Sequence, residues 1–158
     1  EAGRLPLHFA AVSPGALVET AVTRFAPLAQ DSDITLIHTV ETDLPQINAD
    51  AVRIQQVFDN LLINALYHTQ AGGEIRITAG RNSNRVVFAV CNTGSLLPEQ
   101  AAHVFERFWR ADESRQRDAG GSGLGLAITR QFVLLHGGHI RVESRSGLTC
   151  FRFDLPGA

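Results

Sequence analysis

The 158-residue chain carries 14 basic and 16 acidic side chains, a net charge of −2, and 44% of its residues are hydrophobic. This length suits one globular domain, and the near-neutral charge argues against a purely electrostatic nucleic-acid or membrane binder. All 14 basic residues are arginines. The absence of lysine excludes a P-loop lysine, a protein-kinase strand lysine and Schiff-base chemistry.

Capping residues and apolar spacing predict the elements of the first half. Ser13 followed by Pro14 is typical of a helix start and predicts a helix over 16–30. Residues 34–40 have the composition of a strand. Asp50 is a good N-cap for a second helix that extends to about Thr69. Its apolar residues recur at three- and four-residue spacing, which makes it the strongest helix prediction of the chain: Ile54, Val57, Phe58, Leu61, Leu62, Ala65 and Leu66.

The second half alternates hairpin-like and helical patterns. Residues 74–79 and 85–91 predict a hairpin, 98–109 a short helix, 110–122 a polar loop, and 123–136 another helix. Residues 140–144 and 149–155 predict two more strands. If the apolar run 7–12 is counted as a strand, we expect about four helices and six strands. Cys91 and Cys150 lie in strand-like stretches, and we expect buried free thiols rather than a disulfide or a metal pair.

Three polar side chains repeat on one side of the second predicted helix. Asn60, Asn64 and His68 are four residues apart, so they project from the side opposite the apolar stripe. Amide oxygens are hard ligands that suit Mg²⁺. An ordinary solvated polar face is the alternative interpretation.

A glycine-rich segment opens the helix predicted over 123–136. Glycines at 120, 121, 123 and 125 would let backbone N–H groups and the positive helix end approach phosphate oxygens; a flexible hinge is the alternative. Since there is no lysine, a polyphosphate here requires Mg²⁺, backbone dipoles and arginine. Four arginines precede the glycines, although the acidic residues among them favour an ordinary salt-bridged loop: Arg107, Arg110, Arg115 and Arg117.

In this order, the motifs resemble the ATP-binding domain of bacterial sensor histidine kinases, which belong to the GHKL superfamily with gyrase and MutL. Residues 60–69 resemble the N box, 92–94 the start of the G1 box, 105–110 the F box and 121–127 the G2 box. His136-Gly137-Gly138 matches the usual continuation. The resemblance extends from Leu5 to Pro156.

The resemblance implies an α+β two-layer sandwich of the Bergerat type: a mixed β-sheet with helices packed on one face and a mobile ATP lid at about 110–122. Residues 1–5 are similar to the tail of a preceding dimerisation hairpin, and 6–158 would form the ATP-binding domain. The parent would be an inner-membrane-anchored bacterial sensor kinase with this domain in the cytoplasm.

The same resemblance implies the site residues. Asn64 would hold Mg²⁺, and Asn60 would contribute a ligand or contact phosphate. Arg110 would approach the γ-phosphate, so Arg110 and Asn60 are the candidate catalytic residues. The expected ATP-binding residues are Asn64, Tyr67, His68, Asn92, Gly94, Arg110, Gly121, Ser122, Gly123, Leu124 and Gly125.

Four positions depart from the family pattern. Asn92 stands where the G1 box usually has an aspartate that accepts a hydrogen bond from adenine; asparagine there is also a weak hint of the heavy-metal sensor branch. Leu96 replaces the second G1 glycine, and Tyr67 stands where many members have a basic residue. Asn60 occupies the place of the glutamate base of ATP-hydrolysing relatives, which predicts slow hydrolysis because an amide cannot abstract a proton.

The implied function is to bind Mg·ATP and to donate the γ-phosphoryl group to a histidine on a dimerisation hairpin, for relay to a response-regulator aspartate. The chain has no His-Glu-x-x-Thr-Pro phosphoacceptor motif, so we expect a monomeric fragment that does not phosphorylate itself, cut from a homodimeric parent. No nucleic-acid partner is expected. The alternative is a degenerate module that senses nucleotide or makes protein contacts without catalysis, which the residues at 67, 92 and 96 favour.

Overall fold

The computed structural model describes residues 6–94, 100, 103–106 and 125–158, and these contain three α-helices and seven β-strands. The predicted loop 110–122 lies outside this part of the chain, as does most of the predicted helix 98–109, whose described residues 103–106 form a turn. In chain order the elements are β1 (Ala10–Val12), α1 (Pro14–Asp31), β2 (Thr35–Val40), β3 (Ile47–Ala49), α2 (Ala51–His68), β4 (Glu74–Asn82), β5 (Arg85–Thr93), α3 (Gly125–Leu135), β6 (Ile140–Arg145) and β7 (Leu148–Pro156).

The main sheet is mixed and has the order β2-β4-β5-β7-β6. β2 pairs parallel with β4, and the other neighbours pair antiparallel. Alternate residues of the central strands face the helices, where Phe58 of α2 packs edge-on against Phe88 and Phe153, with ring centroids 5.5 Å apart in both pairs. The prediction of an α+β sandwich with helices on one face is therefore confirmed.

Both predicted N-caps are formed. The Ser13 hydroxyl accepts a hydrogen bond from the backbone N–H of Ala16, and the Asp50 carboxylate accepts from those of Val52 and Arg53. A capping side chain satisfies N–H groups that have no partner inside the helix. The residues predicted for the apolar stripe of α2 are buried, except Leu66, which is partly buried against the same core.

The strand β3 was not predicted. It pairs antiparallel with β1, which lies in the predicted apolar run 7–12, with Ala10 opposite Ala49 and Val12 opposite Ile47. β3 has only three residues, which is too short for an alternating pattern to be recognised. This ribbon carries the chain directly into Asp50 and α2.

The expectation of free thiols is wrong, because Cys91 and Cys150 form a disulfide. The two residues are separated by 59 positions in sequence but lie directly opposite each other on β5 and β7, with Cα atoms 4.0 Å apart. They point to the sheet face away from the helices, where they contact Ala89. Sequence spacing gave no sign of the pairing, because it depends on β7 lying beside β5.

The motif at 136–138 has a structural reason at each residue. The buried His136 ring contacts the Phe132 carbonyl through Nδ1, and its Nε2 accepts a hydrogen bond from the backbone N–H of Asp50 at 3.0 Å. Gly137 has φ +78°, and a Cβ on Gly138 would collide with the backbone of Asp154. The motif therefore ties the end of α3 to the start of α2 and turns the chain into β6.

Candidate functional site

The polar face of α2 is present as predicted. Asn60, Asn64 and His68 lie on successive turns and are each half-buried, while the apolar stripe of the helix faces the core. Residues four apart on a helix are neighbours on its surface, so the three side chains form one row. The row offers two amide groups and an imidazole.

The start of α3 lies against this row. The Asn60 side-chain nitrogen donates to the Gly125 carbonyl at 3.1 Å and to the Thr129 hydroxyl at 3.0 Å. Gly125 is the last glycine of the glycine-rich segment. The helix that carries the candidate metal ligands and the end of the candidate phosphate-binding segment are therefore in contact.

The carboxylate beside Asn60 in sequence is used elsewhere. Asp59 forms an ion pair with Arg24 of α1 at 3.0 Å. Burial raises the pKa of Asp59, and the nearby Arg24 guanidinium opposes that rise. Asp59 thus joins α1 to α2 and is not part of the row formed by Asn60, Asn64 and His68.

The end of β5 brings Asn92 to the helix-facing side of the sheet. Asn92 is 3% exposed. It lies opposite Ile75 on β4 and opposite Thr149 on β7. The amide nitrogen donates to the Thr93 carbonyl at 3.0 Å. Because a carbonyl can only accept, this bond fixes the amide orientation and leaves the Asn92 oxygen as the available acceptor.

Gly94 closes the corner between β5, α2 and the β6–β7 hairpin. The φ angle of Gly94 is +136°, in a region that favours glycine. A Cβ at position 94 would lie 3.2 Å from the carbonyl oxygen of His68. Its N–H donates to the Gly147 carbonyl at 2.8 Å, and its carbonyl accepts from the Thr149 hydroxyl, also at 2.8 Å. The ends of three elements therefore meet at one residue.

Thr149 is a site residue that the sequence analysis missed. It is buried, lies opposite Asn92 and binds Gly94. A signal was present: Thr149 is the polar member of an inward-facing series that otherwise contains Phe151, Phe153 and Leu155.

Tyr67 and Phe105 are also placed by the structure. The Tyr67 ring packs edge-on against His68 with centroids 5.1 Å apart, so both predicted residues lie at the C-terminal end of α2 near Gly94. Phe105 of the F-box motif packs on Phe151 of the sheet at 5.9 Å. Several predicted residues lie outside the described part of the chain: Arg110, Gly121, Ser122, Gly123 and Leu124, and with them Leu96, Arg107, Arg115 and Arg117.

The chemistry of the described side chains fits a hard cation bound together with phosphate. A cation site with few protein ligands is typical of Mg²⁺, which keeps water and phosphate oxygens in its shell. Amide oxygens on α2 suit that role.

The comparisons with known proteins agree with this geometry. Residues 49–158 match the family described as histidine kinase-, DNA gyrase B- and HSP90-like ATPase. The chain belongs to this family. The sensor protein VanS of Enterococcus faecium is 37% identical over 140 residues, which is 89% of this chain and 36% of VanS.

Two solved structures are similar over almost the whole chain. The catalytic domain of histidine kinase ThkA superposes with a TM-score of 0.85 at 27% identity, covering 96% of this chain and 97% of that domain. Full-length ShkA in complex with AMPPNP gives a TM-score of 0.86 at 32% identity, covering 98% of this chain and 32% of ShkA. ThkA has also been solved in complex with the response regulator protein TrrA, where the match has a TM-score of 0.80 at 26% identity and covers 95% of this chain and 42% of ThkA.

These findings confirm the predicted family. The chain has the fold of a sensor histidine kinase catalytic domain. It spans about a fifth to two fifths of the length of the curated relatives that it matches in sequence. No helix within the described residues is long and apolar enough to cross a membrane.

Proposed function

We propose that this chain binds Mg·ATP between α2 and the segment that precedes α3, and that it donates the γ-phosphoryl group to a histidine on a dimerisation hairpin outside the chain. The phosphoryl group would then pass to an aspartate of a response regulator. The observation that carries the proposal is the contact of Asn60 with Gly125 and Thr129. It supports a site in which the candidate metal ligands of α2 lie beside the first turn of α3.

Each described residue has a distinct task in this proposal. Asn64 ligates the cation from α2, and the free oxygen of Asn92 accepts a hydrogen bond from the adenine amino group. Thr149 and Gly94 hold the end of β5 in place beside α2. When bound, Mg²⁺ neutralises charge on the phosphates, which is the main need of a phosphoryl transfer.

No strong base is needed from this chain. The acceptor imidazole in its neutral form already has a lone pair for attack. Asn60 stands at the position of a glutamate base in ATP-hydrolysing relatives, and its amide nitrogen is engaged with α3. The arrangement therefore favours transfer to histidine over hydrolysis by water, with Arg110 proposed to approach the γ-phosphate.

The partners follow from the kind of relative that the chain matches. We propose a homodimeric parent kinase anchored in the bacterial inner membrane, with residues 1–5 as the tail of its dimerisation hairpin and this domain in the cytoplasm. ThkA was solved with a response regulator protein, which supports a response regulator as the second partner.

The experiment is calorimetric titration of AMPPNP in excess Mg²⁺ and again in EDTA. Asn64→Ala is expected to lose the Mg²⁺-dependent part of the affinity and to abolish phosphoryl transfer to an added hairpin domain, because α2 then lacks its cation ligand. Asn48→Ala removes an exposed amide on β3, outside the row formed by Asn60, Asn64 and His68, and should bind like the wild type.

Two results would contradict the proposal. Undiminished transfer by Asn64→Ala would refute the metal role of that residue. Absence of wild-type binding at millimolar AMPPNP would instead favour the non-catalytic module that Tyr67, Asn92 and Leu96 suggest.

A further inference from the structure

A partly buried polar contact joins α2 to the first turn of α3. The Asn60 amide nitrogen lies 3.1 Å from the Gly125 carbonyl oxygen and 3.0 Å from the Thr129 hydroxyl. Thr129 is fully buried at 0% exposure. Gly125 and Thr129 are four residues apart, so their acceptors lie on the same side of α3, one turn from each other.

The partners fix how the Asn60 amide is oriented. The Gly125 carbonyl can only accept, so the amide nitrogen and not its oxygen must face α3. Its two hydrogens serve Gly125 and Thr129. The remaining oxygen of Asn60 can only accept, which suits a cation or an N–H donor.

The contact connects two parts of the proposed site. Asn64 lies one turn along α2 on the same side as Asn60. Gly125 is the residue that directly follows 121–124 of the glycine-rich segment. A fixed Asn60 amide thus holds the end of that segment at a set distance from Asn64.

We propose that Thr129 is a positioning residue that acts through Asn60. Thr129 and Asn60 hold Gly125 and the first turn of α3 against α2, beside the Asn64 side chain that would hold the cation of Mg·ATP. The inference rests on the proposed binding of Mg·ATP and adds two residues that control its geometry. Thr129 itself touches neither nucleotide nor metal.

The test compares Thr129→Val with Thr129→Ser. Valine keeps the shape and burial of threonine but removes the hydroxyl acceptor, whereas serine keeps the hydroxyl. Thr129→Val is expected to bind AMPPNP with Mg²⁺ about five- to tenfold more weakly, because the hydrogen bond that positions the Asn60 amide is lost. Its affinity for adenosine, which lacks phosphates, should stay unchanged. Thr129→Ser should stay within about twofold of the wild type with either ligand.

Thermal unfolding separates positioning from folding. Thr129→Val leaves one hydrogen of the Asn60 amide without its acceptor, so its melting temperature should fall by about a few degrees. Binding is therefore compared at a temperature at which both variants are fully folded, where weaker Mg·AMPPNP binding with unchanged adenosine binding would indicate positioning. An equal loss of AMPPNP and adenosine binding would overturn the inference.

Asn60→Asp separates positioning from simple metal ligation. Aspartate supplies a charged oxygen to a cation but cannot donate to the Gly125 carbonyl. If Asn60 served only as a metal ligand, Asn60→Asp would strengthen Mg²⁺-dependent binding; the positioning role predicts a loss at least as large as that of Thr129→Val.

The outcomes also separate this inference from the proposed function. If the wild type does not bind AMPPNP with Mg²⁺, the proposed function fails. If the wild type binds and Thr129→Val binds equally well, only the positioning role of Thr129 fails.

Discussion

At the scale of single residues, the structure shows how Asn92, which departs from the family pattern, is oriented. Asparagine stands where the family usually has an aspartate that accepts a hydrogen bond from the adenine amino group. The side-chain nitrogen of Asn92 donates to the Thr93 carbonyl. In the proposed site, the protein itself therefore fixes the amide orientation in which the Asn92 oxygen would accept from adenine. The cost of the replacement is the missing charge on the acceptor rather than a wrongly turned amide.

Asn92→Asp is accordingly expected to have opposite effects on binding and stability. A charged acceptor should strengthen adenosine binding about fivefold, while the lost bond to Thr93 should lower the free energy of unfolding by about 1 kcal/mol. Calorimetry with adenosine and urea denaturation measure the two effects.

Guanosine is the control ligand for this prediction, because its 6-oxo group cannot donate to residue 92. The affinity ratio of adenosine to guanosine should rise in Asn92→Asp. Equal or weaker adenosine binding by the variant would remove Asn92 from the adenine end of the site.

At the scale of elements, the start of α2 is held by its cap and by α3. Burial acts to raise the pKa of Asp50, but the backbone N–H groups of His8, Arg53 and Val52 and the Arg53 charge together hold it below its ordinary value. The Nε2 atom of His136 accepts a hydrogen bond from the backbone N–H of Asp50. The N-terminal segment, α2 and α3 therefore meet at Asp50.

The lowered pKa of Asp50 predicts the pH range in which the cap stabilises the fold. A carboxyl with a lowered folded-state pKa contributes stability fully above its unfolded value of about 3.9, and that contribution disappears as the pH falls through the folded-state pKa. In Asp50→Asn, an NH₂ group replaces the oxygen that accepts from His8. The variant should lose about 1 kcal/mol of unfolding free energy at neutral pH.

Urea denaturation over a pH series checks this expectation. The difference between wild type and Asp50→Asn should shrink as the pH falls below about 3.9. Asp31→Asn, which removes an exposed carboxylate at the end of α1, is the control and should follow the wild type throughout. A difference for Asp50→Asn that is constant with pH would show that the Asp50 charge does not stabilise the cap.

At the scale of the whole molecule, the features that were predicted are those encoded locally. The cap at Asp50 and the apolar spacing from Ile54 to Ala65 lie within one stretch of chain, so α2 was predicted nearly to its ends. Strand-like composition identified the strands of the main sheet. β3, and with it the β1–β3 ribbon, was missed because three residues are too few to form a recognisable pattern.

The features that were not predicted depend on which elements become neighbours. The Cys91–Cys150 disulfide needs β7 beside β5, and the contact from Asn60 to Thr129 spans 69 residues. Nothing near Asn60 in sequence shows that its amide nitrogen will face α3. The row on α2 could thus be predicted from spacing, but the direction in which each amide points could not.

The most direct test of the central claim is paramagnetic broadening of backbone amide signals by Mn²⁺ bound with AMPPNP in place of Mg²⁺. If one metal–nucleotide complex lies beside both Asn64 and the start of α3, the amides of Asn60, Asn64 and Gly125 should all lose intensity. Those of Arg141 and Arg152, which lie on β6 and β7, should keep it. Broadening that spares either α2 or the start of α3 would contradict a shared nucleotide site.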